Sequence, residues 1–278
     1  YMALSMLAEA TDGASRSQIL ELLGTDSIET LRPQVKSVWN ANYRDDGVSK
    51  SILASSLWLR NDVETAPDTT KTLAENYYAS VFSGEMGTES YNQLLCDWLN
   101  EQTGGLLREQ ASGLHMSPET VLALASTIYF KAPWTDSFYA GLTREDVFHG
   151  PDGDQTVDFM HRSDTTAYYW GEHFASVGLG MENGGVMWFL LPDEGVTPEA
   201  LLEDEDAMRF LLLPRKTDWE QQKTLVVNFT VPKFDVSSDL DLIDGLKALG
   251  LRDVFDPAAS DFTPLTADTV EIYVSQVK

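Results

Sequence analysis

The chain has a single cysteine, Cys96, which excludes an internal disulfide and leaves no thiolate cluster to hold zinc. Positive charge is scarce: 19 lysine and arginine residues stand against 44 aspartate and glutamate, a formal charge of -25. Nucleic acid and anionic membrane surfaces are repelled by such a field, so neither is expected as a partner. No apolar run approaches the roughly 20 residues that a membrane-spanning helix needs. The opening stretch Tyr1-Met2-Ala3-Leu4-Ser5-Met6-Leu7 is as apolar as a signal-peptide core. It lacks a basic flank and a small-residue cleavage site, and a helix stop follows at Gly13. It reads as a buried helix that begins mid-fold.

Catalytic signatures are missing as well. His115, His149, His161 and His173 form no H-E-x-x-H pair and no zinc-type spacing with Cys96 or with carboxylates. There is no G-x-S-x-G elbow and no phosphate-binding loop, and Gly178-Leu179-Gly180 lacks the third glycine and following helix of a dinucleotide site. No catalytic residue, metal site or cofactor is therefore expected. Glu203-Asp204-Glu205-Asp206 lacks the glycine-turned spacing of a calcium loop and reads as a solvated acidic loop. Asp239 and Asp241 read as capping residues at a helix start. The Asn228-Phe229-Thr230 sequon falls in a strand that reads as buried, which argues against its modification.

What is present is the composition of a folded domain, 43% apolar and 23% charged. The first third carries helical periodicity. Ile19, Leu22 and Leu23 share a face behind a Ser15/Gln18 capping box and before Gly24. Leu31, Val35, Val38 and Trp39 repeat the pattern, Pro67 opens a helix with Leu73 and Tyr77, and Tyr91, Leu94, Leu95, Trp98 and Leu99 form another that stops at Gly104-Gly105. Cys96 lies within that last apolar pattern and reads as a packed thiol. Residues 51–59 turn strand-like, residues 121–130 and 186–191 are nearly continuous apolar runs of buried strands, and 225–236 alternates. Thr197-Pro198 starts a short helix, Leu242, Leu246 and Leu249 lie on another that Gly250 stops, and a last strand is read at 270–277. No repeat or linker interrupts the chain, which predicts one domain of mixed helix and sheet.

Three stretches in collinear order resemble the serpin family. The first is Asp97-Trp98-Leu99-Asn100-Glu101-Gln102-Thr103-Gly104-Gly105. The second runs from Ser126-Thr127-Ile128-Tyr129-Phe130-Lys131 through Trp134 to Phe138. The third is Val231-Pro232-Lys233-Phe234 with Leu246, Leu249-Gly250-Leu251, Phe255 and Asp261-Phe262; Leu190-Leu191-Pro192-Asp193-Glu194 fits beside them. The resemblance implies an α+β fold with a large sheet A, sheets B and C and about eight helices, in a metastable native state. It implies a suicide substrate: a serine protease attacks an exposed loop, and the cut loop inserts into sheet A before the acyl-enzyme is released.

By the same resemblance, the strands flanking the insertion gap carry Val121, Leu122, Leu124, Ile128 and Phe130 on one side and Val270, Ile272, Val274 and Val277 on the other. Trp134 and Lys233 map to the breach, where the loop starts to insert, with Lys233 expected to pair with a hinge glutamate. Ser126 stands in the mid-sheet shutter where the family commonly has asparagine, and its shorter side chain changes that network. The resemblance further places residues 1–278 as a single but incomplete domain, opening inside a helix and stopping before the reactive loop and final core strands. The expected partner is a serine protease, with papain-like cysteine proteases as the second target class. A non-inhibitory carrier or chaperone role is the alternative. Only Arg32, Lys36, Arg44 and Lys50 are basic between residues 26 and 50, so no glycosaminoglycan cofactor is expected. A monomer acting outside the cell or at its surface completes these expectations.

Overall fold

A computed structural model describes residues 1–150, 153–268 and 271–278. The chain forms two compact units, Tyr1–Lys131 with Ser238–Lys278, and Ala132–Ser237. In the first, helices α1 (Met2–Ala10), α2 (Gly13–Leu22) and α3 (Ile28–Asn42) precede strands β1 (Arg44–Asp45) and β2 (Lys50–Arg60). Helix α4 (Pro67–Tyr77), strand β3 (Ala79–Gly84), helices α5 (Glu89–Gln102) and α6 (Arg108–Ser112) and strand β4 (Leu122–Lys131) follow. Strand β2 pairs antiparallel with β1 and β4 and parallel with β3.

Local chemistry explains the helix ends, with one difference from the sequence reading. Ser27 caps α3 by accepting from the Thr30 amide, and Pro67 sits in the first turn of α4, where its missing N–H costs nothing. The Ser15/Gln18 capping box does not form. The Ser15 hydroxyl accepts from the Asp261 amide, and the Gln18 carbonyl accepts from the amides of Arg252 and Asp253. Both side chains satisfy donors far along the chain, and α2 starts earlier, at Gly13.

The apolar faces close on two clusters. Met6, Ile19, Leu31, Val35, Leu57, Leu73, Tyr77, Leu251 and Leu265 lie in the first. The second packs the α5 residues Tyr91, Leu95, Cys96, Trp98 and Leu99 around Trp58, which is fully buried. Cys96 Sγ donates to the Ala111 carbonyl, and burial, with the fields of Asp97 and Glu89, pushes its thiol pKa up. Glu9 on α1 is buried against α3 and α4: it accepts two bonds from Arg32, at 2.5 and 3.0 Å, and one from the Tyr77 hydroxyl at 2.9 Å. Burial first, then the Glu9 charge, holds the Tyr77 phenol protonated far above the usual tyrosine range.

Gly104 ends α5 at φ +61, and a Cβ built there lies 2.8 Å from Cζ of Tyr129. Gly104→Ala therefore combines left-handed strain, about 1–3 kcal/mol, with a ring clash. Gly24→Ala is the control, because φ is +70 but nothing lies within 4 Å. The expected result is a larger drop in urea midpoint for Gly104→Ala than for Gly24→Ala, with unchanged slope. Equal drops would show that Tyr129 moves aside freely.

The second unit is a five-stranded antiparallel sheet. Strands β5 (Arg144–Gly150), β6 (Gly153–Trp170), β7 (Phe174–Gly180) and β8 (Val186–Pro192) are joined in that order, and β9 (Gln222–Pro232) pairs with β6. The first part of β6 serves β5 and its last three residues serve β7, so one long strand carries both partners of a single sheet. Helices α7 (Pro198–Glu203) and α8 (Glu205–Leu212) cover a cluster of Tyr169, Phe174, Leu201, Phe210 and Trp219. The acidic run read as a loop is the junction between them: the Asp204 carboxylate accepts from the Ala207 amide at 2.7 Å and starts α8. Lys216 closes α8 at its other end, its ammonium donating to the Leu211 and Leu213 carbonyls and lying 5.0 Å from the Phe210 ring centroid. Asn228 is exposed and Phe229 buried, so the sequon asparagine lies on the open face of β9 instead of inside it.

The chain then returns to the first unit with α9 (Ile243–Ala248), whose N-cap is Leu242; the Asp241 carboxylate accepts from the Ile243 amide in the turn that leads into it. Asp239 does not cap; it pairs with Lys278 at 3.0 Å. Nine α-helices and two sheets among the described residues agree with the mixed α+β class expected from the sequence.

Candidate functional site

Strand β4 pairs with β2 from Lys131 opposite Lys50 to Leu122 opposite Leu59. The register sets Ser126 opposite Ser55, and Ser55 and Ser56 are both buried at the middle of β2. The position read as the shutter thus lies among small polar residues of two paired strands, Ser55, Ser56, Ser126 and Thr127, which alternate between the two faces.

The expectation that β4 is buried on both faces is overturned. Val121 is buried but precedes the strand, its carbonyl accepting from the Arg60 amide. Leu122 and Leu124 pack partly buried against the first cluster. Farther along, Ser126 is exposed, Ile128 is 70% exposed and Phe130 46%. Among the described residues β4 has β2 as its one paired neighbour, so it is an edge strand. A continuous apolar run does not distinguish a strand covered twice from one whose second side stands open.

The strand read at 270–277 is also corrected. Val270 lies outside the described residues, and 271–278 form no strand. Ile272 and Val274 keep the alternate burial that prompted the reading and pack against the first cluster. Their backbone groups go elsewhere: the Val274 amide donates to Val254, the Ile272 carbonyl accepts from the Ser260 hydroxyl, and the Val277 carbonyl accepts from the Leu242 amide. With the main-chain groups used in this way, alternation alone makes no ladder.

Trp134 and Lys233, the two residues read as the breach, both belong to the second unit. Trp134 makes an isolated antiparallel bridge with Met181, flanked by bonds from Thr135 N to Gly180 O and from Glu182 N to Pro133 O, each 3.0 Å. Its ring meets Phe138 edge-on and packs on a cluster of Leu179, Phe229 and Val231. Lys233 follows β9 directly. It is tied to Asp158 twice, by its amide to the carbonyl at 2.8 Å and by its ammonium to the carboxylate at 3.0 Å. Both side chains of that pair are about half exposed, so the ion pair contributes at most about 1 kcal/mol. The structure therefore supplies Lys233 with a carboxylate of its own chain, Asp158, which the sequence reading missed. Lys233 and Asp158 are 75 positions apart, and only the β6–β9 register joins them.

Comparisons with known proteins bear on this geometry. The family model described as Serpin (serine protease inhibitor) matches residues 1–278. Serpin-ZX of Arabidopsis thaliana is 27% identical over 271 residues, covering 91% of this chain and 67% of the plant protein. The leukocyte elastase inhibitor of Sus scrofa is 25% identical over 99% of this chain and 74% of its own length. The chain thus spans about two thirds to three quarters of these relatives. Among solved structures, the thermophilic serpin tengpin in its native state superposes with a TM-score of 0.85 at 24% identity, over 99% of this chain and 70% of tengpin. With the family model covering every residue and the fold superposing on a solved serpin, the chain belongs to the serpin family.

Proposed function

We propose that the protein inhibits a serine protease as a suicide substrate, with its cut reactive loop adding to the open edge of β4. Loop insertion of this kind is the standing serpin example of strand addition, applied here to a new chain. The observation that carries the reading is the serpin (serine protease inhibitor) family model over residues 1–278; that β4 pairs with β2 alone among the described residues is compatible with it. A free edge offers a row of unpaired N–H and C=O groups, and an inserted strand satisfies them. The similarity to the leukocyte elastase inhibitor supports a serine protease as the target class. Independence from a glycosaminoglycan is supported by the early basic residues: Arg32 is engaged by Glu9, Arg44 by Asp46 and Lys50 by Asp45.

The test is incubation of the intact natural protein with trypsin-like, chymotrypsin-like and elastase-like proteases, followed by denaturing gels. The expected result is a band at the summed mass that survives SDS and boiling. Cleavage without such a band, for every protease and a papain-like enzyme, would favour a non-inhibitory carrier or chaperone.

A further inference from the structure

Arg162, in the middle of β6, has a side chain only 14% exposed, in a protein where acidic residues outnumber basic ones more than twofold. A guanidinium taken that far out of water is costly unless its donors are satisfied. Its partners come from two places. The Asp164 carboxylate, on the same strand, forms a close ion pair with it. The other partner is the segment that follows Trp134. Arg162 donates to the Asp136 backbone carbonyl, with the Asp136 carboxylate 3.8 Å away, and its Cζ lies 5.4 Å from the Phe138 ring centroid. Phe229, its cross-strand neighbour on β9, closes the other side at 5.9 Å.

We infer that Arg162 is the positioning residue that seats the breach segment 134–138 on the second sheet. The segment is held at two points. At the Trp134 end the hold is the short bridge to Gly180, Met181 and Glu182. At the Asp136–Phe138 end it is Arg162, which reaches a main-chain carbonyl and an aromatic ring together. A planar five-donor fork does both, while an ammonium is a single point of charge. Because the contact to Asp136 is through the backbone, the clamp does not depend on the exposed Asp136 side chain. The inference rests on this geometry and not on protease inhibition. Should the proposed function hold, Arg162 also sets how firmly Trp134 is seated where a loop starts to insert.

Amide hydrogen exchange of the intact protein, with no protease present, tests it. In Arg162→Gln the Thr135 and Glu182 amides are expected to exchange at least about tenfold faster, because their bonds last only while the segment is docked. The β7–β8 ladder amides serve as the internal reference and are expected to stay protected. Arg162→Lys is expected to fall between the two. Unchanged exchange at Thr135 and Glu182, full protection in Arg162→Lys, or an equal rise across the β7–β8 ladder would each overturn the assignment. If Arg162→Gln does not fold, Arg162→Lys carries the test, since it keeps the charge and the Trp134–Phe138 packing but loses the planar fork. A smaller rise confined to Thr135 and Glu182 supports the clamp, and no rise overturns it. These readouts are independent of whether any protease is trapped.

Discussion

Replacing Trp58 by alanine is expected to lower stability by about 3–5 kcal/mol, the range for truncating a large buried aromatic side chain. Trp58 is fully buried on β2, stacked on Phe82 at 4.2 Å between centroids and met edge-on by Tyr91 and Trp98. Its loss strips three rings of a shared neighbour and opens a cavity under α5. It also removes the donor to the Ser56 hydroxyl, a bond of 2.8 Å to a residue with no exposure, so a polar atom is stranded in the same cavity. The cost therefore belongs near the top of the range. Guanidinium unfolding reads it as a fall in midpoint with little change in slope. Trp58→Phe keeps a ring against Phe82 and is expected to recover more than half of the loss. Equal losses for the two variants would mean that the indole bond to Ser56, and not ring packing, carries the effect.

If the loop of the intact protein inserts, cutting it is expected to raise the melting temperature by tens of degrees. Strand β4 is ten residues long. A partner of similar length forms on the order of ten backbone bonds, each worth about 0.5–1.5 kcal/mol net. The gain is then on the order of 10 kcal/mol, and about 2–4 °C per kcal/mol for a domain of this size gives on the order of 20–40 °C. Covering the exposed side chains of Ile128 and Phe130 adds to it. The measurement is a calorimetric scan before and after cleavage by a protease too dilute to be trapped in quantity. No rise would sink the inhibitory reading and leave the carrier or chaperone alternative.

The helices were the most legible part of the sequence, because a 3.6-residue stripe is a local signal. The stripe Tyr91, Leu95, Trp98 and Leu99 is the buried face of α5, although Leu94, read with them, is 43% exposed. The Thr197 and Pro198 start of α7 was equally plain, as both cap and proline act within one turn. The capping box of α2 misled because Ser15 and Gln18 have the right spacing but are used by donors more than 230 positions away. Strand β6 gave no simple pattern: the part paired with β5 is exposed almost throughout, and only beyond it does the strand become partly buried. Trp134 and Lys233 were singled out through family likeness alone. Asp158 and Arg162 were not, since Asp158 meets Lys233 through the β6–β9 register and Arg162 meets Asp136 and Phe138 across 24 to 26 positions, with no periodic trace in either case. A sequence clue to Arg162 did exist: it is a lone cation on a strand whose neighbours include Asp158 and Asp164.

The length of β6 also governs how the second unit comes apart. Eighteen residues at about 3.3 Å each make a strand of roughly 60 Å. Strand β9 is laid along it from Phe159 to Tyr169, meeting the part paired with β5 at Phe159 alone and the part paired with β7 at Tyr168 and Tyr169. Peeling β9 away strips the stretch of β6 between its two other partners and leaves the β5–β6 pairing nearly untouched. The exposed β5–β6 hairpin is thus expected to open apart from the β6–β9 ladder, its amides exchanging first.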